Sequence, residues 1–163
     1  MKKLVLLAFC AFGFAINSQA QTVADNALGL RLGDNNGMGT EISYQRGLSE
    51  NHRLELDLGW SSRNDNDAFR LTGLHQWVWN IDGGFNWYAG LGAGLGSFQR
   101  NGVDEDDDED DGLFITAAGQ VGIEYDFDFP ILISLDFRPE IGILNYYGDD
   151  LGFDIALGLR YQF

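Results

Sequence analysis

The feature that most limits what this chain can fold into is a side-chain period of two, repeated from Leu28 to the last residue. Leu28, Leu30 and Leu32 alternate with Gly29 and Arg31; Ile42 and Tyr44 with Glu41, Ser43 and Gln45. Leu54, Leu56, Leu58 and Trp60 alternate with Arg53, Glu55, Asp57 and Gly59. The same spacing carries Trp87 to Leu95, Ile115 to Ile123, Ile131 to Phe137 and Phe153 to Phe163. Successive side chains of a strand point to opposite faces, so this period predicts strands. The helical spacing of three and four residues is nearly missing. Seven strands are clear. An eighth falls at 69–79, where Phe69, Leu71, His75, Trp77 and Trp79 share one parity and Leu74 and Val78 the other. A bulge near Gly73 would account for that change of parity.

One face of each strand is continuously apolar. The other carries Gly and charges of both signs: Glu41, Arg53, Glu55, Asp57, Glu124, Asp136, Arg138, Glu140, Asp154 and Arg160. A soluble β-sandwich or soluble barrel would also alternate. In a membrane, however, only closure of the sheet satisfies every backbone N–H and C=O, and an even number of strands of about 9–11 residues suits it. The expected fold is therefore all-β, an eight-stranded antiparallel transmembrane β-barrel with up-and-down connections. Mixed charges in so narrow a lumen would pair with one another, although Gly90, Gly92 and Gly94 on one wall leave space. Pro139 falls inside a strand and removes a ladder donor, so a bulge or one lost ladder bond is expected there.

The first 20 residues support export. Met-Lys-Lys precedes an apolar stretch from Leu4 to Ile16, and Ser18 and Ala20 stand at the small-residue positions of a cleavage site. This pattern predicts a signal peptide at 1–20 and a barrel domain at 21–163. Cleavage after Ala20 removes both lysines and Cys10. The remainder holds eight arginines against 25 acids, a net charge of −17. It has no cysteine for a disulfide, thiol or metal, and its charge argues against nucleic acid as a partner.

Aromatic residues concentrate near strand ends, where a barrel meets the membrane interfaces. Trp77, Trp79, Trp87, Tyr125, Phe127, Phe129, Tyr161 and Phe163 belong to one end, and Trp60, Phe69, Tyr146, Tyr147 and Phe153 to the other. Connections at 46–52, 81–84 and 126–130 are short. Those at 61–68, 97–112 and 143–150 are longer and would face outside the cell, and 34–37 is short. The stretch Trp87 to Gly96 and the closing Leu157-Gly158-Leu159-Arg160-Tyr161-Gln162-Phe163 resemble the small eight-stranded outer-membrane barrels of Gram-negative bacteria, the OmpA/OmpX-like family. The resemblance implies a monomer in the cell outer membrane, surrounded by lipid and lipopolysaccharide. It also implies that the terminal Phe163 is presented to the barrel-assembly machinery.

Chemistry is sparse. Eight consecutive acids, Asp104 to Asp111, occupy the longest connection. Such a run repels itself and extends, and its oxygens could gather Ca2+ or another divalent cation, with Asp104, Asp106, Asp108 and Asp110 as candidate ligands. The spacing is not that of an EF-hand, and a solvated loop without a defined site is the competing reading. His52, in a turn, and His75, in mid-strand, lack the neighbouring serine of the deacylase barrels and read as satisfied or exposed side chains. Glu55 and Asp57 share a face with Arg53 and read as lumen ion pairs. The reading is a structural or surface-interaction barrel and not an enzyme. A narrow, porin-like pore for ions or small solutes is the alternative, and a lipid A-modifying enzyme the more distant one.

Overall fold

The computed structural model describes residues 23–33, 39–63, 66–100, 112–144 and 151–163, with the backbone alone for 62–63, 66–67 and 98–100. Eight strands follow in chain order: β1 (Asn26–Leu32), β2 (Thr40–Ser49), β3 (His52–Arg63), β4 (Asn66–Asp82), β5 (Phe85–Arg100), β6 (Gly112–Asp126), β7 (Ile131–Leu144) and β8 (Leu151–Gln162). Each pairs antiparallel with its neighbour, and β1 pairs with β8, closing the barrel. The seam ends at the last residue: the Phe163 N–H donates to the Asn26 carbonyl at 2.9 Å.

Closure separates the two parities. Every charged residue expected on the non-apolar face lies inside and is buried. The apolar parity faces out: Leu91 is 65% exposed and Ile155 67%, while Glu55 and Arg138 are 0% exposed. A soluble fold must do the reverse, because exposing apolar surface to water costs about 25 cal/mol per Å². This inversion removes the soluble sandwich and the soluble barrel.

Two local expectations are corrected. The ladder between β3 and β4 is unbroken from His52↔Trp77 to Arg63↔Asn66, so no bulge sits at Gly73. Leu74 and Val78 point into the lumen, with Arg70, Thr72 and Gln76 on the same parity. The register of β4 shifts against β5 instead, between Asn80 and Asp82, at the turn where Gly83 takes a φ of 53°. A positive φ is open to Gly because it has no Cβ. The long connections are also shorter than their polarity suggested. Ladder pairs reach Arg63↔Asn66 in place of a loop over 61–68, while the strands take in only 97–100 and Gly112 of the 97–112 connection and 143–144 of the 143–150 one, whose remainders lie outside the described residues.

Pro139 costs the ladder one donor without a bulge. Between β6 and β7 the register is the same on both sides of it, Ala118↔Glu140 and Val121↔Phe137, but the pairs at Gly119 and Gln120 are missing. One absent N–H breaks both. The β8 side, Pro139↔Phe153, stays paired.

The aromatic girdles form. At the end carrying the short turns, Trp79 stacks on Trp87 with centroids 4.3 Å apart, Phe85 meets Tyr125 at 4.6 Å, and Tyr125, Phe127 and Phe129 continue the chain. At the opposite end Trp60 and Phe69 are register partners, and Phe153 stacks on Phe137. Tyr146 and Tyr147 lie outside the described residues, as do segment 1–22 and the 34–37 connection.

Candidate functional site

The barrel interior holds the chemistry, and it divides into two halves. Strand direction sets the division: each inward residue's position along its strand decides which end of the lumen it occupies.

The half nearer the long connections is an ion-pair lattice. Glu41, on β2, accepts from three guanidiniums: Arg31 Nη1 at 2.9 Å, Arg70 Nη2 at 2.6 Å and Arg138 Nη2 at 2.7 Å. Arg31 reaches across to Asp136 at 2.6 Å and Asp154 at 2.6 Å. Arg70 also donates to Glu140 at 2.9 Å, and Arg138 to Asp57 at 2.9 Å. Three arginines thus face five buried carboxyl groups. One oxygen of Asp57 is buried without a hydrogen bond.

The half nearer the short turns is charge-balanced and relayed by amides. Arg160 donates to Glu55 at 3.0 Å and to the hydroxyls of Ser43 and Ser134. Glu55 accepts from the amides of Gln45 and Gln120. The Gln76 amide donates to Gln120 and its carbonyl accepts from Arg53. Arg53 grips Glu124 through both terminal nitrogens, at 3.1 and 2.7 Å, and lies 4.9 Å over the Tyr88 ring. The cavity below it, bounded by Asn86, Glu124 and Gln45 among others, has a volume of about 20 Å³. That is room for a single water and not for a hydrated ion.

The space beside the inward glycines of β5 is occupied by neighbouring side chains. A Cβ on Gly94 would meet the Thr116 hydroxyl at 2.6 Å, one on Gly96 the Phe114 ring at 2.3 Å, and one on Gly90 the Gln76 side chain at 3.0 Å. The space expected beside Gly90 and Gly94 is therefore taken by neutral side chains from β4 and β6.

The candidate cation ligands Asp104, Asp106, Asp108 and Asp110 lie outside the described residues. Among the described residues, no group of three or more His, Cys, Asp or Glu is arranged to hold a metal. Arg31 and Arg70 complete the lattice, though neither stood out in the sequence. Arg70 was hidden by the ambiguous facing of β4. His52 and His75, read as separate, are in contact at 3.1 Å on the outer wall. No hydrogen bond joins either ring to a hydroxyl among the described residues.

A closed eight-stranded meander with a charged, filled interior and an apolar exterior defines a transmembrane β-barrel. Comparison with solved structures finds the same fold in small outer-membrane barrels. The N-terminal β-barrel domain of Pseudomonas aeruginosa OprF matches with a TM-score of 0.62 at 14% identity, covering 86% of this chain and 98% of that one. Neisserial surface protein A matches with a TM-score of 0.55 at 12% identity, covering 85% and 94%. Ail, the attachment invasion locus protein of Yersinia pestis, matches with a TM-score of 0.53 at 16% identity, covering 85% and 96%. No protein-family model and no curated protein matches the sequence. The chain thus has the fold of the OmpA/OmpX-like small barrels.

Proposed function

We propose that this protein is an outer-membrane barrel whose role is structural or surface-directed, exerted by the connections at its open end and not by passage through the lumen. One observation carries the reading: the interior is blocked along its length by buried, mutually paired side chains, from Arg31, Glu41, Arg70 and Arg138 at one end to Arg53 and Glu124 at the other. Opening such a lattice would strand buried charges, at about 3–5 kcal/mol for each broken pair.

In this reading the chain is exported by cleavage of residues 1–20 and folds as a monomer among outer-membrane phospholipid and lipopolysaccharide. Phe163 is offered to the barrel-assembly machinery, and the acidic run Asp104–Asp111 stands at the cell surface, where its carboxylates collect Ca2+ and other divalent cations. Two proteins sharing the fold carry names of the corresponding kind, an attachment protein and a surface protein. No catalysis is assigned to it.

Planar-bilayer recording on the folded barrel tests the reading. A flat current trace supports the closed lumen. Discrete, reproducible conductance steps overturn it in favour of a narrow pore. The lipid A mass spectrum on overexpression is expected to be unchanged, and a lost or added acyl chain would instead assign an enzyme.

A further inference from the structure

The two histidines of the sequence meet on the outer wall. His52 opens β3 directly after the Glu50–Asn51 turn, and His75 lies on β4 opposite Leu54. Both side chains are half-buried and belong to the outward parity. His52 Nδ1 stands 3.1 Å from His75 Nε2. The rings are edge-on, centroids 5.3 Å apart, and Trp77 packs against both, at 4.7 Å from His75 and 6.1 Å from His52. Neither ring has a second hydrogen-bond partner among the described residues.

We propose that this pair is a binding site for a divalent transition metal of the Cu2+ or Zn2+ class, ligated by His52 Nδ1 and His75 Nε2 with water in the remaining positions. The distance fits. Imidazole nitrogens sit about 2.0–2.1 Å from such metals, so two on one ion at tetrahedral or right-angle geometry lie about 2.9–3.4 Å apart. Rotation of the two rings, whose nitrogens face each other in the metal-free pair, would turn their lone pairs to a shared ion. The ligand type selects the metal: imidazole suits Cu2+ and Zn2+, whereas Ca2+ takes oxygen.

The site is held in place beforehand. The β3–β4 ladder runs unbroken from His52↔Trp77, which fixes the spacing of the two backbones. Trp77 limits how far either ring can turn. Protons balance as well. In the metal-free pair one facing nitrogen carries the N–H donated to the other. On metal binding that ring changes tautomer, its proton moving to the far nitrogen, His52 Nε2 or His75 Nδ1. At a pH where both rings are neutral no proton is released. With two protein ligands and open positions, the ion would be exchangeable.

The test uses the full barrel, purified folded in detergent and titrated with Cu2+ while excess Ca2+ occupies oxygen sites. One Cu2+ per barrel is expected, with the paramagnetic-resonance splitting of two equivalent imidazole nitrogens. His52→Gln and His75→Gln should each leave a one-nitrogen pattern. Each should also weaken binding by more than the roughly 10–100-fold lost when even an outer-sphere partner is removed. The double variant should lose the site. Because both side chains lie outside the lumen lattice, circular dichroism and the folded gel mobility should be unchanged, and a second pair, His52→Phe and His75→Phe, repeats the measurement should a Gln variant fail to fold. Equal Cu2+ affinity in wild type and double variant, or a spectrum with oxygen ligands alone, overturns the proposal.

Discussion

The two halves of the lumen solve the same problem differently. Both bury arginine and carboxylate inside the barrel. Near the turns, Arg53 and Arg160 are matched by Glu124 and Glu55, and three glutamines with two serines take up the remaining hydrogen-bonding capacity. Near the long connections, Arg31, Arg70 and Arg138 are outnumbered by Glu41, Asp57, Asp136, Glu140 and Asp154, with Glu41 shared three ways. The balanced half thus adds amide and hydroxyl hydrogen bonds to its two ion pairs. The unbalanced half depends on every guanidinium it has. Removing one partner of a buried pair is costly because the other is left unpaired in low dielectric, even where the intact pair adds little net stability.

Four substitutions break or sharpen this contrast, each read by denaturant unfolding of the vesicle-inserted barrel through its tryptophan fluorescence. Arg138→Met should be the most damaging. It removes a cation from the half already in excess of carboxylate and strips partners from Glu41 and Asp57, for a loss of about 3–5 kcal/mol. Glu41→Gln should cost less, about 1–3 kcal/mol, because Arg31, Arg70 and Arg138 each keep another carboxylate. If Glu41→Gln proves the worse of the two, the charge excess is not what governs that half.

In the balanced half, Gln120→Leu should cost about 1–2 kcal/mol, the range for leaving hydrogen-bonding groups on Glu55 and Gln76 unsatisfied. A loss as large as that of Arg138→Met would erase the distinction between the halves. The smallest effect lies outside the lumen. Pro139→Val restores the donor opposite Gly119 and should stabilise by about 0.5–1.5 kcal/mol, with a newly protected amide at 139 in hydrogen exchange. An unprotected amide there would show that the gap has a cause other than the proline.

The outer wall was legible almost residue by residue, and the inner wall only as a list. Alternation from Leu54 to Trp60 or from Phe153 to Phe163 states which residues share a face. It also marks Glu41, Arg138 and Arg160 as members of the polar one. It does not state partners, because Arg138 contacts Asp57 and Glu41, 81 and 97 residues away. The facing of β4 failed to emerge for a related reason. Leu74 and Val78 are apolar yet point inward, where they fill space among Tyr88, Ala118 and other interior groups, so hydropathy alone could not orient that strand. The paired histidines were missed because 23 residues separate them, and only the β3–β4 register, His52 opposite Trp77, sets them side by side.

The sequence by itself determined the strands, their number and the sidedness of every strand but β4, because the period of two and the exclusion of unpaired backbone from lipid are local or general constraints. It also marked where Pro139 would cost the ladder a bond. The tertiary structure alone decided which charges meet, that the glycine-lined wall is filled, and that His52 and His75 share one spot. Those outcomes depend on how eight strands are staggered around a closed ring. The stagger is a property of the whole sheet, set by all eight ladders together and written in none of the strands singly.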